Sequence, residues 1–194
     1  MSKEIEYKAL ISKEEYEHLL SEISNHFSYR NYVQTNYYYD TEKLSLYHRH
    51  ETLRIRKKDE SLQLEYKFNK EFVKHARICE EKSYPMNIIP QKLSKDDIRR
   101  CGLPDCNYFL LGSLVTNRSD FVLSEGVLSL DKNEYLGYVD YEVEFEFTSL
   151  SLQMENQFLE LINFNEKTLT PGKYSRFINE IRYDKLRKLK MDKK

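Results

Sequence analysis

The stretch YVDYEVEFEF at residues 138–147 places Asp140, Glu142, Glu144 and Glu146 at alternate positions, with Val139, Tyr141, Val143, Phe145 and Phe147 between them. Successive side chains of a strand point to opposite faces, so this segment has one carboxylate face and one apolar face. Carboxylates stacked about 6 to 7 Å apart repel one another unless something neutralises them, and that need constrains the fold more than any other feature of the chain. Sorting the other strand-like segments by parity gives the same kind of split. In ETLRIRKK, Arg54 and Arg56 oppose Leu53 and Ile55. In SLQLEYKF, Gln63, Glu65 and Lys67 oppose Leu62, Leu64, Tyr66 and Phe68. In VLSLDKN, Asp131 opposes Leu128 and Leu130, and in EIEYK, Glu4, Glu6 and Lys8 alternate with Ile5 and Tyr7.

A half-exposed antiparallel sheet accounts for any one of these strands. It accounts poorly for the set, because a merely solvated face mixes signs within each strand, whereas here some strands are nearly all carboxylate and others nearly all Arg and Lys. Amphipathic helices also need apolar surface to cover. Residues 11–27 predict one, with Ser12 as cap, Glu15 at capping-box spacing, and a stripe of Tyr16, Leu19, Leu20, Ile23 and Phe27. Others are predicted over 89–103, ended by Gly102, over 150–164 and over 173–190. Strands are predicted over 4–10, 29–40, 51–58, 61–68, 73–84, 108–126, 127–135 and 138–147. Together these predict an α+β fold in one domain, 1–194. Its core is a closed antiparallel β-barrel of about eight strands, charged faces turned into the lumen, acidic and basic strands facing each other across it, and helices outside.

The bulk numbers then limit the ligand. With 31 Lys and Arg against 32 Asp and Glu, net charge −1, the chain lacks the global basic excess of a non-specific nucleic-acid binder. No run approaches the roughly 20 apolar residues of a membrane span, and MSKEIEYK lacks an apolar leader core, so a cytoplasmic protein without a membrane partner is expected. Cys79, Cys101 and Cys106 lack zinc-site spacing and are read as reduced thiols, and His48 and His50 as part of a polar connector. Crowded carboxylates beside Arg and Lys suit hard divalent cations together with an anion of high charge density, which describes a metal-bound polyphosphate.

EIEYK also resembles the E-x-E-x-K signature of the CYTH superfamily, the triphosphate tunnel metalloenzymes. These include class IV adenylate cyclases and thiamine, inorganic and RNA triphosphatases. NYYYDT, LRIRKK, LEYK, LSLD, YEVEFE and GKYSRF follow in the family's order along nearly the whole chain. The resemblance implies that Glu4 and Glu6 hold metal and that Lys8 touches phosphate, all three being catalytic. It implies that Arg54, Arg56, Lys67, Arg118, Lys173 and Arg176 bind the substrate, and that Asp131, Glu142 and Glu144 complete metal coordination. Glu80 or Glu81 fills a further acidic position, parity with Arg77 favouring Glu81, and Glu146 replaces Glu142 if a bulge shifts the pairing. Tyr37, Tyr38 and Tyr39 are expected to pack, and Asp40 with Thr41 to form a turn. The implied function is Mg²⁺- or Mn²⁺-dependent hydrolysis, with two ions per site, of inorganic tripolyphosphate or thiamine triphosphate. The alternatives are cyclic AMP synthesis by a class IV adenylate cyclase and a non-catalytic polyphosphate- or nucleotide-binding module. The expected partner is a small-molecule triphosphate, with no nucleic acid, and the expected assembly a monomer or homodimer.

Overall fold

The computed structural model describes residues 2–73, 76–147, 152–161 and 170–191. Its frame is a closed barrel of eight antiparallel strands. These are β1 (Ser2–Ile11), β2 (Arg30–Asp40), β3 (Thr52–Lys58), β4 (Ser61–Val73), β5 (Ala76–Met86), β6 (Phe109–Leu123), β7 (Gly126–Tyr135) and β8 (Tyr138–Phe147), in the order β1-β5-β4-β3-β2-β6-β7-β8. Short hairpins join β3 to β4, β6 to β7 and β7 to β8, and β1 closes the barrel between β5 and β8. The parity pattern is largely obeyed inside out: charged faces line the lumen and most apolar faces look outward, where helices cover them.

Three apolar clusters mark where the helices sit. Helix α1 (Lys13–Ser24) starts with the predicted capping box, Ser12 Oγ accepting from Glu15 N–H at 3.1 Å and the Glu15 carboxylate accepting from Ser12 N–H at 2.6 Å. Its Tyr16, Leu19, Leu20 and Ile23 pack over Tyr7, Leu130, Val143 and Phe145 of the barrel, joined by Phe158 of α4 (Leu152–Leu161). Helix α3 (Lys95–Cys101) sets Ile98 and Cys101 against Leu53, Ile55 and Leu64, and stops at Gly102, whose φ of 76° is the left-handed cap predicted for it. It begins six residues later than the periodicity suggested, because Ser94 and Asp97 form the capping box and residues 91–93 instead pair with the start of β6. Helix α5 (Lys173–Met191) sits differently: its Tyr174, Phe177 and Ile178 pack on Tyr38, Leu114 and Tyr135, which share parity with the lumen-facing residues of their strands. Gly112 is needed beneath it, since a Cβ there would stand 2.9 Å from the Phe177 ring.

A four-residue helix, α2 (Ser45–His48), was not anticipated from the sequence. Asp40 explains it. Fully buried, this carboxylate accepts from the backbone N–H groups of Thr41, Leu46 and Tyr47 and from the Tyr174 hydroxyl at 2.7 Å, so the expected turn is also a tie to α5. His48 and His50 are exposed in this connector. All three cysteines are free, Cys79 and Cys101 buried and Cys106 exposed. Among the described residues no helix is long and apolar enough to cross a membrane. Of the helix predicted over 150–164, residues 150–151 and 162–164 lie outside the described residues.

Candidate active site

The lumen holds a cavity of about 240 Å³. Period-two alternation brings Glu4, Glu6 and Lys8 of β1 to its wall, with Arg54 and Arg56 of β3, Lys67 of β4, Arg118 of β6 and Glu144 of β8. Lys173 reaches in from the first turn of α5. Asp131, Glu142 and Arg176 do not line the cavity but lie buried beside it. Strand register accounts for the grouping: Lys8 stands opposite Glu144, Glu6 opposite Glu146, Arg118 opposite Asp131, and Asp131 opposite Glu142.

Asp131, Glu142 and Glu144 form a tight trio, their ligand oxygens within 4.8 Å of one another. Lys173 Nζ sits among them at 2.8, 2.9 and 2.7 Å respectively. Arg118 grips Asp131 with two hydrogen bonds, at 2.7 and 2.6 Å, and also donates to Glu144. Arg176 donates to Glu142 at 2.7 Å and to Asp140 at 2.9 Å, while Lys8 bridges Glu144 at 3.0 Å and Glu6 at 2.8 Å. Burial pushes the Glu142 carboxyl up, but Lys173 and Arg176 outweigh that and hold it down at about 2. The same contest, won by Lys173, Lys8 and Arg118, holds Glu144 well below the carboxylate range. Even so, Glu142 Oε1 is buried without a hydrogen-bond partner among the described residues, with Lys8 Nζ 3.8 Å away.

Glu4 and Glu6 stand apart from this trio. Glu4 accepts from Lys67, which also pairs with Glu81 at 3.0 Å, and the Cys79 thiol donates to Glu4 at 3.3 Å. Against the pull of burial, Lys67 brings the Glu4 carboxyl down to about 2. Arg77 holds Glu6 at 3.3 Å. Glu146, on the same face of β8 as Glu142 and Glu144, is exposed at the cavity and makes no hydrogen bond or ion pair among the described residues. Partial burial and the neighbouring Glu4 push its carboxyl up. On the basic side Arg54 pairs with Glu65 at 2.7 Å. Arg56 has a side-chain amide as its closest partner, Asn36 Oδ1 at 3.0 Å, with Glu65 at 3.7 Å, and burial and the like charge of Arg54 push its pKa down. The lumen therefore has a local surplus of negative charge at Glu146 and of positive charge at Arg56.

Two expectations are refined. Much of the neutralisation runs between neighbouring strands and from α5, as in Arg54 with Glu65, Arg118 with Asp131 and Lys8 with Glu144, rather than across the lumen between acidic and basic walls. No bulge interrupts β8 against β1 or β7, so Glu146 joins Glu142 on the inner face instead of replacing it. Glu81 lines the cavity, as parity with Arg77 indicated. Charge sorting missed Gln34 and Tyr38 of β2, which carry no charge, and Cys79, which reads as a small core residue although it shares parity with Arg77 and Glu81.

The model of the CYTH domain matches residues 2–168. The chain belongs to the CYTH family. Over 147 residues, 74% of this CYTH chain and 76% of the relative, it is 29% identical to the Bacillus subtilis (strain 168) protein named "Putative triphosphatase YjbK". A solved structure from Bacillus halodurans, described as a "putative adenylate cyclase", is 27% identical with a TM-score of 0.70, covering 91% of this chain and 99% of that one. HpAC1 from Hippeastrum, described as a "putative adenylyl cyclase" with a dominant triphosphatase activity, superposes with a TM-score of 0.72 over 91% of this chain and 96% of its own. At 22% identity it shows the shared CYTH tunnel fold.

Proposed function

We propose that the tunnel binds a small-molecule triphosphate together with divalent cations and hydrolyses a phosphoanhydride bond. The observation that carries this reading is the polarised lumen: guanidinium and ammonium groups in positive surplus at Arg56, carboxylates in negative surplus at Glu146, within one cavity of about 240 Å³. A polyphosphate with its cations complements both surpluses at once. The cavity lies below the ~300–1,000 Å³ usual for organic ligands, which suits a phosphate chain better than an entire nucleotide. The name of the Bacillus subtilis relative supports the same reaction.

The acidic groups fit a metal of the hard class. Every candidate donor is a carboxylate oxygen, and Glu142 Oε1 is a buried acceptor in search of a partner. Mg²⁺ or Mn²⁺ held by Glu4, Glu6 and Glu144, with Asp131 and Glu142 behind, would supply Lewis acidity and charge neutralisation at the phosphoryl oxygens. Arg54, Arg56, Lys67 and Arg118 bind and orient the phosphates, and their fixed positive charge stabilises the negative charge that builds on the leaving oxygen. Lys8, between Glu6 and Glu144, is placed to contact the reacting phosphoryl group. Lys173 at the cavity wall and Arg176 buried beside it complete the substrate-binding basic set from the first turn of α5. The reading extends to a cytoplasmic enzyme, monomeric or homodimeric, without nucleic-acid or membrane partners.

The adenylate cyclase reading is favoured by the description of the Bacillus halodurans protein. A panel of tripolyphosphate, thiamine triphosphate and ATP with Mg²⁺ and with Mn²⁺, assayed for phosphate and for cyclic AMP, separates the two. Phosphate release that Glu4→Gln abolishes is the expected result. Cyclic AMP as the main product, or binding that survives EDTA without any turnover, would replace the hydrolase by a cyclase or by a binding module.

A further inference from the structure

The charged residues leave one wall of the tunnel without a role. The inward positions of β2 carry Gln34, Asn36 and Tyr38, which are 2%, 0% and 0% exposed. Gln34 Nε2, Asn36 Nδ2 and Tyr38 Oη have no hydrogen-bond partner among the described residues, yet Gln34 and Tyr38 line the same cavity as the charged groups. Buried polar groups are nearly always satisfied, so three orphans on one strand face point to a partner that the described residues do not supply. All three atoms can donate. Register sets each beside a cation of β3: Gln34 opposite Lys58, Asn36 opposite Arg56, Tyr38 opposite Arg54. Asn36 Oδ1 already accepts from Arg56 Nε at 3.0 Å. Glu65, Glu4 and Glu144 are engaged by Arg54, Lys67 and Lys173.

Packing does not account for the polar atoms. The Tyr38 ring lies 5.0 Å from the Tyr174 ring and 5.2 Å from that of Phe177, contacts that a phenylalanine would make equally well. Burial also pushes the Tyr38 pKa up, so its hydroxyl keeps the proton it would donate. Neutral donors suit this wall in particular, because burial and the like charge of Arg54 already push down the pKa of Arg56, and a further cation would add to that repulsion.

We propose that Gln34 and Tyr38 contact the substrate, donating neutral hydrogen bonds to non-bridging oxygens of the phosphoryl group that Arg54 and Arg56 hold, while Asn36 orients the Arg56 guanidinium. The proposal rests on the triphosphate reading of the tunnel. It separates from a structural role by sign. Removing an orphan donor from the free protein relieves a burial cost, whereas removing it from the complex leaves a charged oxygen without its partner.

The test uses Tyr38→Phe and Gln34→Met in the full chain. It measures the melting temperature without ligand, the further shift with tripolyphosphate and Mg²⁺, and kcat and KM for tripolyphosphate. The expected result is a melting temperature without ligand equal to or above that of the unmodified protein, a smaller tripolyphosphate-induced shift, and a kcat/KM lower by roughly ten- to a hundredfold. An unchanged kcat/KM in both variants overturns the proposal, as does a lowered melting temperature in both without ligand, which would assign the donors to the fold. If the unmodified protein shows neither turnover nor a tripolyphosphate-induced shift, the triphosphate reading fails and this proposal with it. Turnover by the unmodified protein with unaffected variants overturns this proposal alone.

Discussion

Glu142 and Glu146 stand on the same face of β8, one turned into a fully buried knot of cations and the other exposed at the cavity with no ion-pair partner among the described residues. Glu142, with Asp131 and Glu144, is neutralised by side chains tethered to the fold: Lys173 and Arg176 of α5, Arg118 of β6 and Lys8 of β1. Glu146 sits near Glu4 and Glu6, whose cations are already engaged, so negative charge is left over there. The difference teaches that a carboxylate's part in a charged tunnel is set by which cations the fold delivers to it, and that identical residues on one strand can be neutralised at one position and, among the described residues, unpaired at another.

The largest effect should come from the knot. Lys173→Met strips the central ammonium from three carboxylates, and breaking such a buried network costs about 3–5 kcal/mol, read as a lower denaturation midpoint at pH 7. If the trio also accepts a divalent cation, Mg²⁺ should restore more stability to this variant than to the unmodified protein. Equal response to Mg²⁺ in both would make the trio purely structural. Next, Glu4→Gln or Glu144→Gln should lower tripolyphosphate turnover by about a hundredfold or more, with the barrel still folded by circular dichroism. Retained activity in both would remove β1 and β8 from the chemistry. Glu146→Gln is the sharpest probe of the contrast. Because it removes like-charge repulsion, its stability should match or exceed the unmodified protein's by up to ~1 kcal/mol, while the Mg²⁺ concentration for half-maximal activity rises about tenfold. Destabilisation as large as that of Glu142→Gln would erase the distinction between the two glutamates.

The smallest effect concerns pH. Glu4 is depressed from its ordinary 4.5 to about 2 by Lys67, working against burial. A depressed carboxyl stabilises the fold above its unfolded pKa, and that contribution disappears as pH falls through the folded one. The stability gap between the unmodified protein and Glu4→Gln should therefore hold steady from pH 7 to near 5, then close as pH falls from 4.5 toward about 2. A gap that closed on raising the pH instead would mean that Lys67 does not control this carboxylate.

Much of the architecture was legible because both signals are periodic. Alternation in YVDYEVEFEF, LRIRKK and LEYK identified which side chains share a face, and the need to cover the opposite faces called for helices outside. Capping chemistry located α1 at Ser12 and the end of α3 at Gly102. Among the cavity-lining residues, those with charge on an alternating strand were legible, and Lys173 came with the GKYSRF resemblance. Gln34 and Tyr38 were missed although their parity is equally regular, because a neutral amide or a tyrosine on a strand looks the same whether it packs or binds. Short-range pattern could not reveal α2 either, since it forms on hydrogen bonds to Asp40, a carboxylate whose burial depends on α5.

The amino-acid sequence by itself determined the strands, the split of each into a charged and an apolar face, and the inversion that sends charge into a lumen. Those follow from period two and from the cost of leaving stacked carboxylates unneutralised, both properties of neighbours along the chain. The tertiary structure alone decided which cation meets which anion, that Lys173 sits among Asp131, Glu142 and Glu144, and that the β2 donors find no partner among the described residues. Coulomb and hydrogen-bond energies depend on separations of a few ångströms between residues more than a hundred positions apart in some pairs, and only barrel closure and the docking of α5 bring those residues to such distances.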